Sequence, residues 1–280
     1  MAEITAALVA KLRGMTGAGM MECKKALNEA NGDVDAAVDV LRKAGTLTAG
    51  KIAAREAREG VITQYIAPDG RTGVLVEVNC QTDFVARNDM FRAFADEVAK
   101  KLAADPKVNL DAEREAMVAK IRENVKIPRH ERMEVTGNGM VAAYIHTGAK
   151  VGVLVEVGAG KETTITNNEF KQLVKDITLQ IAAGHPYAVS REQVPADVLT
   201  KEKEIAAEQF KNKPPQAIAK IVEGKLEKFY QTYCLVDQGF VKKNSEISLK
   251  EHVAIVAKQL GDEITIHRFA RYQIGETTGA

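Results

Sequence analysis

Apolar residues recur at helical spacing from the start of the chain. Ile4, Leu8 and Leu12 share one face as far as Gly14, and Cys23, Ala26 and Leu27 point inward on a second helix from about Met20 to Ala30. Asn31-Gly32-Asp33 then breaks the pattern. Gly32 suits a left-handed helix end and Asp33 a helix start, and Val34, Ala37, Val38 and Leu41 give a third helix that Gly45 is expected to stop. Three short helices in about 40 residues are the least that can enclose a core. Gly50 to Arg58 is small and charged without an apolar stripe and reads as a linker, so residues 1–55 form a first domain.

Beyond it the chain repeats itself. A shift of 79 positions lays Gly60-Val61-Ile62-Thr63-Gln64-Tyr65-Ile66 on Gly139-Met140-Val141-Ala142-Ala143-Tyr144-Ile145, and Gly73 to Val78 on the identical Gly152 to Val157. Each copy reads as strand, turn, strand and helix, with turns at Pro68-Asp69-Gly70 and Thr147-Gly148-Ala149. The helical stripes follow in register, Phe91, Phe94, Ala95, Val98 and Leu102 on Phe170, Leu173, Val174, Ile177 and Ile181. The expected class is α+β: two homologous halves, 56–137 and 138–280, each an antiparallel sheet backed by helices. Between the copies, Leu110 to Val125 predicts a helix and Arg132 to Thr136 a strand. In the second half, apolar faces on either side of Asn212 to Gln216 predict a helical hairpin at about 195–232, with Pro215 in the first turn of its second helix. A helix over Leu249 to Leu260 and a strand from Ile264 to Ile274 close the chain.

Composition narrows the functional classes. With 45% hydrophobic and 28% charged residues the chain has material for real cores, and 39 basic against 38 acidic residues give a net charge of +1. Neither nucleic acid nor an anionic membrane is therefore an expected partner. No apolar run is long enough to span a bilayer, and the N-terminus lacks the basic start and continuous apolar stretch of a secretory signal, so a cytoplasmic setting is expected. Cys23, Cys80 and Cys234 are odd in number and far apart, and read as three free thiols.

The search for reaction chemistry yields little. Gly158 to Thr163 follows a strand and precedes a helix, as a phosphate-binding loop does, but Val155 and Glu162 stand where that loop needs a glycine and a hydroxyl. His130-Glu131 starts like a zinc-protease helix without its second histidine. The five histidines show no ligand spacing, and no catalytic residue, cofactor or metal site is assigned. What stands out is Asn79 to Asn88, where strand meets helix in the first copy. Thr82 can cap a turn and Asp83 favours a helix start. Phe84 and Val85 face Thr163 and Thr164 in the sister copy. A residue required by a common core should not turn polar there, so Phe84 reads as an exposed aromatic anchor for a partner.

Two stretches, Leu12-Arg13-Gly14-Met15-Thr16-Gly17-Ala18-Gly19-Met20-Met21-Glu22-Cys23-Lys24-Lys25-Ala26-Leu27 and Glu77-Val78-Asn79-Cys80-Gln81-Thr82-Asp83-Phe84-Val85-Ala86-Arg87, together resemble the two signatures of bacterial elongation factor Ts. The resemblance covers nearly the whole chain. It implies a ubiquitin-associated-like three-helix domain, a core of two repeated halves and a helical hairpin in the second. Family members often carry a further C-terminal helical module, and the chain ends about six residues after its last predicted strand, so contacts from such a module are not expected. The implied function is guanine nucleotide exchange on elongation factor Tu by a protein that is not itself an enzyme. On the same resemblance, Asp83 and Phe84, flanked by Thr82 and Val85, wedge beside the GTPase's Mg2+ site; Met20 and Met21 dock on its nucleotide domain; His146 and Gly148 belong to the second half's contact surface. A general binding adaptor and an enzyme whose residues meet only in space are the other classes open to this sequence.

Overall fold

The computed structural model describes residues 4–16, 18–53 and 55–276. Gly17 in the first motif and Ala54 in the linker lie outside the described residues. The chain mixes helices with antiparallel sheet: among the described residues, eleven α-helices and two three-stranded sheets. It divides into two units, one of residues 1–60, 78–94 and 109–127, the other of 61–77, 95–108 and 128–280.

The first unit begins with α1 (Ala6–Thr16), α2 (Met20–Glu29) and α3 (Val34–Ala53). Val9, Leu12, Cys23, Ala26, Leu27 and Ala37 form their buried core, with Ile4, Leu8, Val34, Val38 and Leu41 packed around it. Gly32 takes the left-handed conformation at φ 88, and the Asp33 carboxylate accepts the amides of Asp35 and Ala36 at 2.9 and 3.0 Å. Two boundaries differ from expectation. α1 passes Gly14 and α3 passes Gly45 into the segment read as linker, ending at Ala53. An interior glycine costs a helix only ~1 kcal/mol, and with no proline in either stretch that does not end it.

The strands are β1 (Glu59–Ile66), β2 (Thr72–Cys80) and β3 (Lys126–Glu134) in one sheet, and β4 (Gly139–Ile145), β5 (Val151–Ala159) and β6 (Ile264–Gln273) in the other. β5 pairs antiparallel with β4, Gly152 opposite Ile145, and with β6, Val151 opposite Gln273. β3 begins six residues before the predicted strand because its charged sequence hides it. Pro128 is compatible with this strand, since β3 lies at a sheet edge, where only alternate amides are needed for pairing.

The helices repeat the 79-residue offset: α4 (Asp83–Ala86) and α5 (Asp89–Ala104) against α7 (Glu162–Thr166) and α8 (Asn168–Gly184). The correspondence then resumes at 138. α6 (Asp111–Ile121) and β3 start 138 positions before α11 (Leu249–Leu260) and β6, and Ala-x-Val-Ala-Lys recurs from Ala116 to Lys120 and from Ala254 to Lys258. The difference is an insertion of about 59 residues in the second copy. It carries α9 (Ala196–Gln209) and α10 (Pro215–Tyr233), an antiparallel hairpin with Pro215 in the first turn of α10. Arg191 ties the base of the insertion to Glu227 at 2.7 Å and Asp237 at 2.9 Å and stacks on Tyr230.

Two cores of the second unit use opposite faces of β5. Val153, Val155 and Val157 pack with Phe170, Leu173, Val174, Ile177 and Ile181 of α8, while Leu154 joins Ile62, Leu75, Met133, Val135 and Val141 between the sheets. Burial on both faces explains why β5 is almost wholly apolar rather than alternating, its one charged residue, Glu156, being buried and accepting the Arg268 guanidinium at 2.7 Å. The sheet-to-sheet contact is reciprocal: the Ile62 amide donates to the Ala149 carbonyl at 2.7 Å and the Val141 amide to the Gly70 carbonyl at 2.8 Å, the same bond at the 79 offset. Reciprocity of this kind marks a pseudo-two-fold arrangement. Glycine is required at its centre. A β-carbon on Gly73 would lie 2.5 Å from Val141 and 3.0 Å from Leu154, and one on Gly152 would press on Ile62 and come within 2.9 Å of Leu75.

Candidate partner-binding site

The junction after β2 is built to hold one turn of helix at a corner. Thr82 sits in extended conformation at φ −120 and caps α4, its Oγ1 accepting the Val85 amide at 3.4 Å. Asp83 occupies the first turn, where free amides favour a carboxylate, and pairs with Arg87 at 2.9 Å. Asn88 ends the turn and starts α5 by accepting the Met90 amide at 2.9 Å.

The phase of this turn decides where Phe84 goes. Ala86 is buried and anchors the helix. Side chains two apart on a helix point about 200° apart, so burying Ala86 sends Phe84 outward, where it is 82% exposed. Val85, between them in phase, is half-buried. A phenyl ring kept in water forgoes roughly 1.5–3 kcal/mol of burial, a cost a folding role would not explain. Phe91 of α5 is the contrast, with no exposed surface at all.

Met20 and Met21 open α2 and are 60% and 77% exposed. With Met15 and Met90 they are, Phe84 apart, the large exposed apolar side chains among the first unit's described residues, all methionine. Methionine is flexible and polarisable and suits surfaces that adapt to a partner. His146 and Gly148 lie in the second unit. His146 is exposed just past the end of β4, its Nδ1 3.0 Å from the Tyr144 hydroxyl, and Gly148 takes φ 88 in the following turn.

Sequence reasoning missed the turn after α6. The Glu123 carboxylate accepts the amides of Gln81 and Thr82 at 2.9 and 3.0 Å through Oε2, and the Thr82 hydroxyl at 2.7 Å through Oε1. The preceding residue, Arg122, is left-handed at φ 59 and donates to Glu22 Oε2 at 3.0 Å; that carboxylate also accepts the Gly19 amide at 2.9 Å, at the start of α2. One two-residue turn thus touches the supports of both Phe84 and the methionine pair. The 138-residue offset gives no direct signal for it, since it sets Glu123 against Gly261 and Asn124 against Asp262.

The sister junction corrects one argument. Thr163, opposite Phe84, is exposed, but Thr164, opposite Val85, is buried and donates to Asp262 at 2.6 Å. A polar residue there marks a satisfied buried group, so only the Phe84–Thr163 pair speaks for an added aromatic. Asp262 also accepts the Lys161 amide at 2.9 Å, and these bonds, the Thr164 hydroxyl foremost, hold its carboxyl below the ordinary range. Among the described residues no group of three or more His, Cys, Asp and Glu side chains is placed to hold a metal ion, and no helix is long and apolar enough to cross a membrane.

Fold and surface together define a two-sheet α+β protein that presents a few apolar side chains from short, well-capped elements. Comparison with known proteins gives the family. The family model described as Elongation factor TS matches residues 81–276. The chain is 45% identical to elongation factor Ts of Symbiobacterium thermophilum, over 99% of this chain and 93% of that one. It is 43% identical to that of a Nostoc species, over 99% and 94%, and 41% identical to that of Chloroherpeton thalassium, over 99% and 100%. The chain belongs to the elongation factor Ts family, and with that to the nucleotide exchange factors of translation elongation.

Proposed function

We propose that this chain is the guanine nucleotide exchange factor for elongation factor Tu and promotes GDP release by disturbing the GTPase's Mg2+ and phosphate site. The observation that carries the reading is Phe84, held almost fully in water on a capped single turn whose other side is buried. A GTPase keeps GDP through a phosphate-cradling loop and a Mg2+ ion, so an aromatic wedge with an adjacent carboxylate that shifts the elements placing the ion weakens the nucleotide. Linkage makes the effect reciprocal: GDP weakens the factor's binding by the same ratio, and the factor favours the empty GTPase until GTP returns. Such a protein works in the cytoplasm by binding alone. It needs no active site, cofactor, nucleic acid or membrane.

In this reading α1 to α3 form a ubiquitin-associated-like domain that docks through Met20 and Met21. The repeated halves are the core, Asp83 and Phe84 on the first, His146 and Gly148 on the second, with the hairpin an insertion into the latter. Release of labelled GDP from elongation factor Tu, with and without the protein, tests it. Acceleration at substoichiometric amounts supports exchange; an unchanged rate identifies an adaptor, and turnover of a substrate without the GTPase identifies an enzyme.

A further inference from the structure

Phe84 can act as a wedge only if the turn that carries it is fixed, and α4, at four residues, has too few internal hydrogen bonds to fix itself. Its N-terminal side is held from outside by Glu123, which takes both amides leading into the turn and the hydroxyl of the capping Thr82. We propose that Glu123 is a positioning residue for nucleotide exchange: it touches no nucleotide and acts by setting the direction of Phe84, an inference that rests on the wedge reading above. Its neighbour Arg122 joins the same turn to Glu22 beside Met20 and Met21, so the Phe84 turn and the methionine pair share one support.

The molecule contains its own control. In the second half Asp262 braces α7 comparably, accepting one incoming amide, that of Lys161, and the hydroxyl of Thr164 within the turn, but that turn exposes Thr163 and carries no aromatic. If carboxylate bracing mattered only for folding, the two positions should behave alike. If Glu123 serves the wedge, they should differ in exchange and not in stability.

The experiment measures GDP release from elongation factor Tu at saturating and at limiting factor, with thermal midpoints of each variant. Glu123→Ala is expected to lower the saturated release rate by about tenfold or more, in line with what small misplacements cost. Asp262→Ala is expected to lower the thermal midpoint comparably and leave release unchanged. Glu123→Gln, which keeps an acceptor for both amides and a donor for the Thr82 oxygen, should recover most of the rate. In a Phe84→Ala background, adding Glu123→Ala should change release by less than about twofold, because the group it positions is gone. Should Glu123→Ala not fold, Glu123→Asp, one methylene too short to make all three bonds, replaces it throughout. An equal proportional loss in both backgrounds, or full activity of Glu123→Ala, overturns the positioning role while leaving the wedge intact. A Phe84→Ala variant with full activity overturns the wedge and this inference with it.

Discussion

Two strand-to-helix junctions, Cys80 to Asn88 and Ala159 to Asn167, stand 79 residues apart on equivalent strands and launch equivalent helices, α5 and α8. In both, a carboxylate from a turn after a later helix accepts the amide of the residue that opens the turn, Thr82 or Lys161. The second buries Thr164 against Asp262 and shows water a threonine; the first buries Ala86 and shows water a phenylalanine. The scaffold therefore does not require the aromatic. What one half adds to a shared scaffold is where function is to be sought, and the helices that make the scaffold should be energetically interchangeable.

Phe91 and Phe170 sharpen that comparison with the largest effect. Both are fully buried at equivalent positions, so Phe91→Ala and Phe170→Ala should each cost ~3–5 kcal/mol in chemical denaturation, within about 1 kcal/mol of each other. A large inequality would show that the two copies do not share one packing. Next come the glycines at the pseudo-two-fold. Gly73→Ala and Gly152→Ala each force a β-carbon into the facing sheet, and equal losses of ~1–3 kcal/mol are expected; a marked asymmetry would break the reciprocity of the contact.

Acid should separate the halves. His252 stacks on Phe240 at 4.2 Å, and burial, with Lys243 and Lys242 nearby, outweighs the attraction of Asp176 and lowers its pKa from 6.5. The unfolded chain then binds the proton more readily than the folded one, so this contribution is complete above about pH 6.5 and is lost as pH falls through the lowered folded value. The first copy has Arg114 at the matching position, a residue type that does not titrate in this range. The thermal midpoint should thus fall from pH 7 to pH 5, and His252→Phe should flatten that slope; an unchanged slope would exclude His252 as its source. The smallest effect is expected at Phe84, where Phe84→Ala should move stability by no more than ~0.5 kcal/mol.

Much of this was legible in the sequence because period and repetition write themselves into residue choice. The offset of 79 carried strands, turns and the stripe from Phe91 to Leu102 on Phe170 to Ile181, and the polarity change from Phe84 to Thr163 singled out the exposed ring. The rest was hidden for physical reasons. α3 runs through Gly45 because a glycine weakens a helix without forbidding it. β3 is an edge strand whose alternation is charged rather than apolar. The polarity change from Val85 to Thr164 carries no functional signal, because Thr164 pairs with Asp262, 98 residues on. Glu123 reaches Thr82 across 41 residues, and no local pattern announces such a bond.

We propose that Phe84 serves a partner and not the fold. The direct measurement is release of labelled GDP from elongation factor Tu by Phe84→Ala, at a concentration matched to wild type and with its thermal midpoint recorded. The expected result is a loss of acceleration of about tenfold or more at an unchanged midpoint. Full acceleration at an unchanged midpoint, or a loss matched by destabilisation like that of Phe91→Ala, would contradict it.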